Sequence, residues 1–210
     1  MKKNSVEKIM KSLPGTDCGS CGFTSCKNFA KASLKNPEYL KKCVQSSAAS
    51  EIKNKKWKDF LGRDYNFILD TFPGDLGPRE TILPHNPTLT KQLKIKKGDV
   101  LIGRPMGMSC GCPITHCGIA IDVDQKSGII VWCVTGPLHS RSKKYKDLGY
   151  YSAQAYEGLV QESNVEIKVG MRYWFLPRRC MLQWRHSGLI NFVTKTKEGI
   201  QVRIEGLMIG

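Results

Sequence analysis

Four cysteines near the start of the chain limit what it can fold into more than any other feature. Cys18, Cys21, Cys26 and Cys43 are spaced C-x2-C-x4-C-x16-C within LPGTDCGSCGFTSCKNFA and the later KKC. A cubic iron–sulfur cluster takes one thiolate per iron, and three thiols in a short loop with a fourth returning later meet that need. Gly15, Gly19 and Gly22 lie in and around the loop. Glycine reaches positive φ, so the backbone can wrap a cluster and aim its N–H groups at the sulfides. A zinc site more often draws on two separated C-x2-C pairs, and here the second pair is missing. A thioredoxin-like C-x-x-C opens a helix after a strand, and nothing before Cys18 reads as a strand. One [4Fe–4S] cluster is the reading of these residues, with zinc and free thiols as the alternatives.

The flanking sequence reads as a small helical domain over residues 1–46. Val6, Ile9, Met10 and Leu13 recur at helical spacing, which predicts a helix over residues 4–11 that ends at Pro14 and Gly15. Ser25 is placed to cap a second helix with Phe29, Ala30, Ala32 and Leu34 on its apolar side. Asn36 and Pro37 start a third, with Tyr39 and Leu40 facing inward and Cys43 delivered to the cluster. So small a domain depends on its cofactor to stay folded. Residues 47–72 read as helical, with Ile52, Trp57, Phe60 and Leu61 on the apolar face, and residues 73–95, with four prolines, read as a linker. Residues 96–210 read as β-rich. A strand is expected at 99–102, hairpins at 118–136 and 190–206, and a strand or pair at 165–176. The expected class is therefore α+β: a small N-terminal α-helical domain followed by an antiparallel β-barrel or sandwich.

The pattern L-P-G-x-D-C-G-x-C-G-x-x-x-C-x-x-F-A, with a fourth cysteine after a short helix, resembles the four-cysteine iron–sulfur domain of anaerobic redox proteins. That domain occurs in the large subunit of the corrinoid iron–sulfur protein and in the RnfB electron-transport subunit. The resemblance runs from about Leu13 to Cys43. It implies one [4Fe–4S] cluster held by Cys18, Cys21, Cys26 and Cys43, and electron transfer or redox sensing as its use. The remainder carries no corrinoid domain, so the larger functions of those families do not transfer. The whole chain also resembles a group of uncharacterised iron–sulfur proteins of anaerobes, which implies no particular activity.

A second constellation lies in MSCGCPITHC at residues 108–117, where Cys110, Cys112, His116 and Cys117 crowd together; Cys180 is a further thiol in PRRCMLQWRHSG. Thiolate and imidazole suit zinc, copper(I) or iron, an accessible thiol beside His116 suits nucleophilic chemistry, and buried structural cysteines are the bland alternative. Cys133, inside an apolar strand, reads as core. Arg178, Arg179 and Arg185 could form an anion pocket, or could be a solvated turn.

The net charge is +15, and residues 1–60 hold 13 lysines against 5 acidic residues. That excess suits either a solvated surface or docking to something acidic. An acidic redox protein of the ferredoxin or flavodoxin type is the expected partner. Nucleic acid ranks lower, because base-stacking aromatics are sparse among the basic residues. No leader sequence or membrane span is read, and nine cysteines without a secretory signal point to a reducing cytoplasm. No Walker, Rossmann or Ser-His-Asp pattern is present, so an enzymatic role rests on the second constellation or on the cluster.

Overall fold

The computed structural model describes residues 2–13, 15, 17, 21–43, 57–106, 112–135, 140, 144–178 and 180–209. Helix α1 (Lys2–Ser12) lays Val6, Ile9 and Met10 against Leu13. Helix α2 (Cys26–Lys35) is capped as its sequence suggests: the Ser25 hydroxyl accepts from the Asn28 N–H at 3.1 Å. Asn36 caps the next segment by accepting from the Glu38 N–H at 3.2 Å, but Pro37–Lys42 closes as a 3-10 helix. Tyr39 turns inward as expected, whereas Leu40 is exposed. Leu13, Cys26, Phe29 and Ala30 form the buried centre of this helical part.

The expected helix over 47–72 is not present in its described portion. Residues 57–66 form a turn built on Asp59, and β1 (Phe67–Asp70) follows. The Asp59 carboxylate accepts from the N–H groups of Leu61 and Arg63, both at 2.9 Å, and from the Arg63 guanidinium at 2.7 and 2.9 Å. An aspartate that bonds its own downstream backbone offers the chain an alternative to the helical ladder. Phe60 and Leu61 are exposed, and residues 47–56 lie outside the described residues. The segment read as a linker also holds structure. It contains β2 (Arg79–Pro84), paired on both sides, and the short helix α3 (Leu89–Gln92).

The remaining strands are β3 (Val100–Pro105), β4 (His116–Val123), β5 (Ile130–Thr135), β6 (Lys146–Ser163), β7 (Arg172–Pro177), β8 (His186–Thr196) and β9 (Gly199–Ile209). Both expected hairpins are present, as β4–β5 and β8–β9. Strands make up 45% of the structure and helices 16%, which corrects the α+β expectation to a mostly β protein. Its nine strands form one sheet in the order β1-β7-β8-β9-β6-β2-β5-β4-β3. The sheet is mixed rather than antiparallel, because β1 runs parallel to β7 and β3 parallel to β6.

Two further pairings, β1–β6 and β6–β3, close the order on itself. One circuit runs β6-β1-β7-β8-β9 and the other β6-β2-β5-β4-β3, so β6 belongs to both. Bulges let it do so. Thr81 faces Ala155 and Ile82 faces Ala153, leaving Gln154 unpaired with β2, and a second register shift falls where β6 meets β1. Such extra residues bend a strand and increase its twist. The cores of the two circuits are continuous: Trp132, Tyr151 and Leu101 join Phe175, Ile190 and Val202 in one buried cluster.

Candidate functional site

The N-terminal cysteines are positioned by short local devices. Gly15 and Gly22 adopt φ of +73° and +86°, a region that glycine enters without strain. Asp17 then accepts from the Cys26 N–H at 2.7 Å, so the first turn of α2 is held from two sides, by Asp17 and by Ser25. Cys26 is buried at the start of α2, while Cys21 and Cys43 are half-buried and pack against the same apolar cluster. Three of the four expected ligands therefore come together although they are drawn from a loop, a helix start and the end of a 3-10 helix. Cys18 lies outside the described residues, as does Gly19. Phe23 shields this group, with its ring 5.4 Å from Phe29 and 5.6 Å from Tyr39.

Burial, together with the Asp17 carboxylate, pushes the Cys26 thiol up to about 11 against the stabilising backbone N–H bonds. A thiolate in that apolar setting calls for a cation at the sulfur, and iron supplies one. Among the described residues no three His, Cys, Asp or Glu side chains converge to hold a single metal ion. The thiolates of a cube each take a different iron and stand apart across the cluster.

The second constellation opens onto a cavity between the two circuits. It is lined by the approach to β4 (Cys112, Ile114, Thr115), by His116 and Cys117, by the end of β5, by Tyr156 of β6, and by Cys180 and His186 from around β7 and β8. The structure thus brings Cys112, His116, Cys117 and Cys180 to one cavity; Cys110 lies outside the described residues. Cys117 is buried and takes a hydrogen bond from the Thr135 hydroxyl at 3.8 Å. Cys133 is buried core, as its strand context suggests.

Behind His116 stands a group that the sequence reading passed over. Glu80 of β2 is fully buried and accepts from the Trp132 indole N–H at 2.7 Å and the Tyr151 hydroxyl at 3.2 Å. The Tyr151 oxygen is in turn 2.7 Å from Nδ1 of His116, and that nitrogen is 4.0 Å from the Glu80 carboxylate. With the Tyr151 proton given to Glu80, the His116 Nδ1–H donates to Tyr151. Burial pulls His116 down, but the neighbouring Cys112 and Glu80 groups outweigh burial and raise its pKa to about 9. His186 goes the other way. Burial and the charge of His116 lower it to about 4, although its Nδ1–H donates to the Trp184 carbonyl at 3.0 Å. Burial raises the Cys180 thiol to about 11. Gly118 makes the arrangement possible, because a Cβ there would stand 2.4 Å from the Trp132 ring.

The arginines are engaged within the chain. Arg178 pairs with Asp70 at 2.8 Å. Arg185 donates to the Asp64 carbonyl at 2.6 Å and lies over the Trp174 ring at 3.8 Å. Arg179 lies outside the described residues, and neither described arginine lines the cavity.

Residues 13–45 match the family described as "Putative Fe-S cluster". With the clustered thiols, this defines the class: an iron–sulfur domain joined to a mostly β sheet. The chain is 32% identical to the uncharacterized protein MJ0119 of Methanocaldococcus jannaschii, over 96% of this chain and 92% of that protein, and it belongs to the same family. It is also 34% identical over 79 residues to a subunit of the ion-translocating oxidoreductase complex of Aeromonas salmonicida, a span of 38% of this chain and 36% of that one. No solved structure matches the chain. Among the described residues no helix is long and apolar enough to cross a membrane.

Proposed function

We propose that the chain is a one-electron carrier or redox sensor that holds one [4Fe–4S] cluster through Cys18, Cys21, Cys26 and Cys43. The observation that carries this reading is the gathering of Cys21, Cys26 and Cys43 on one apolar cluster inside the segment matched to iron–sulfur domains. Such a cluster, when bound, supplies a reversible one-electron couple whose potential follows its burial and the hydrogen bonds to its sulfurs. The chain's part is to exclude water with Phe23, Phe29 and Tyr39 and to occupy every iron with a thiolate, which leaves no open position for substrate.

The partner we propose is an acidic redox protein. Lys8, Lys11, Lys27, Lys31, Lys35 and Lys42 are all exposed on the helical part, and complementary fields speed docking at low salt. Anaerobically purified protein is expected to contain about four irons and four sulfides per chain. Cys21→Ser is expected to abolish the broad visible absorbance. One zinc per chain in place of iron overturns the cluster. Reduced ferredoxin is expected to reduce the oxidised protein at low salt, with excess tRNA leaving the rate unchanged. Tight tRNA binding without electron transfer reverses the choice of partner.

A further inference from the structure

We propose that Cys112 is a nucleophile that accepts a short apolar acyl group, carried as a thioester or activated ester, with His116 as its acid–base partner and Glu80 and Tyr151 as positioning residues. The proposal does not depend on the cluster. Cys112 and His116 line one cavity, and with the acid behind His116 they supply the nucleophile, base and orienting acid that acyl transfer uses on unrelated folds. Here the acid acts through Tyr151, since Tyr151 bridges His116 and Glu80 at 2.7 and 3.2 Å while the direct separation is 4.0 Å.

A purely structural role explains this network poorly. One Glu80 oxygen, Oε1, is buried without a hydrogen-bond partner among the described residues, and a fully buried acid with an unsatisfied oxygen is an expensive way to fill a core. The cost fits a site that must keep a charged imidazole beside a sulfur. Two histidines whose pKa values are pushed apart in one cavity, His116 upward and His186 downward, mark the same place.

The other cavity thiols fit the role less well. Cys117 is engaged by Thr135, and burial raises the Cys180 thiol. Pro78, Ile114, Val134, Pro177, Met181 and Leu182 line the remaining wall, which suits a short apolar chain rather than a charged one.

In the first step the Cys112 proton passes to His116 as the sulfur attacks the acyl carbon. A carbon–sulfur bond forms to Cys112, the bond to the leaving thiol or alcohol breaks, and His116 returns the proton to the leaving group. In the second step water gives a proton to His116 and attacks the acyl carbon, releasing the carboxylic acid and the Cys112 sulfur. No oxidant or reductant is needed. The charged and titratable groups facing His116 are Glu80, Cys112 and Tyr151, with His186 and Cys180 across the cavity.

The test uses the anaerobic holoprotein with p-nitrophenyl butyrate and its thioester counterpart. A burst of product from either probe, and a single butyryl mass on the Cys112 peptide of the wild-type chain, are expected. Cys112→Ala is expected to lose the burst with its iron content and sheet signal unchanged. Glu80→Gln keeps the side-chain shape and removes the charge. It is expected to slow acylation roughly tenfold or more and to move the alkaline limb of the thioester rate profile to lower pH, as the His116 pKa falls. A butyryl group on Cys117, Cys133 or Cys180 instead, or no labelling of a folded wild-type protein, overturns the proposal. So does an unshifted pH profile in a folded Glu80→Gln variant, as far as the role of Glu80 is concerned.

Discussion

Asp59 has an ion partner in Arg63, yet most of its bonds go to backbone: the N–H groups of Leu61 and Arg63 beside it, and that of Arg185 at 3.1 Å from a distant part of the chain. It therefore pins the turn before β1 to the approach to β8. Burial opposes its charge, but the Arg63 guanidinium and these N–H groups hold the carboxyl below its ordinary range. Asp59→Asn is expected to lower stability by about 2 kcal/mol in urea unfolding, because it takes the charge from a buried carboxylate that accepts three backbone N–H bonds, while its Arg63 partner is partly exposed. His186 and His116 give the pH dependence its shape. The folded pKa of His186, about 4, lies below the ordinary 6.5, so the unfolded chain binds that proton first and stability falls as pH drops from 6.5 toward 4. His116 is raised to about 9, so its contribution is complete below pH 6.5 and is lost as pH rises toward 9. Melting temperature is expected to peak near pH 6.5, and His186→Asn to flatten the acid side. At this scale the legible residues were those whose partners are near in sequence. Cys21 and Cys26, Ser25 and Asn28 announce themselves by spacing. Glu80 did not, because Trp132 and Tyr151 lie 52 and 71 residues away.

The element that escaped the sequence is β6, the longest strand of the sheet. Its sequence KDLGYYSAQAYEGLVQES is poor in β-branched residues. Its burial also changes phase: Tyr151, Ala153 and Ala155 are buried in alternation, and then Tyr156 is buried too, beyond the unpaired Gln154. A period of two is hard to see across a bulge that resets it. The β4–β5 and β8–β9 hairpins were legible because glycine turns and β-branched runs are local signals. β2 was hidden by the prolines around it. A direct test separates the bulge from the side chain that occupies it. Gln154→Ala, on an exposed side chain, is expected to change stability by no more than about 0.5 kcal/mol. Deleting Gln154 removes the bulge that bends β6 between the two circuits and is expected to lower stability far more. Circular dichroism of the two variants decides it.

At the scale of the molecule, two apolar clusters of very different size share the chain. The sheet core includes Trp132, Tyr151, Phe67 and Phe175, all fully buried, whereas among the described residues the buried apolar side chains of the helical part are Leu13, Cys26, Phe29 and Ala30. So few apolar groups offset little of the ordering entropy of a segment that length. Chelation of iron is expected to erase the hydrogen-exchange protection of α1 and α2 and to leave that of β4, β5, β8 and β9 in place; equal protection with and without iron would count against it. The cluster motif was legible here and the class of the fold was not, because cysteine spacing is written locally and strand order is written only in contacts between distant segments.

The strand common to both circuits has one more consequence. Within the described sheet every strand has a neighbour on each side over part of its length, which shortens the rows of N–H and carbonyl groups open to another chain; residues 191–196 of β8 pair with β9 alone. A protein whose metal-holding segment comes and goes with oxygen or iron supply is at risk of aggregating each time it is stripped. A sheet with so little open edge is expected to stay monodisperse in light scattering after its iron is chelated.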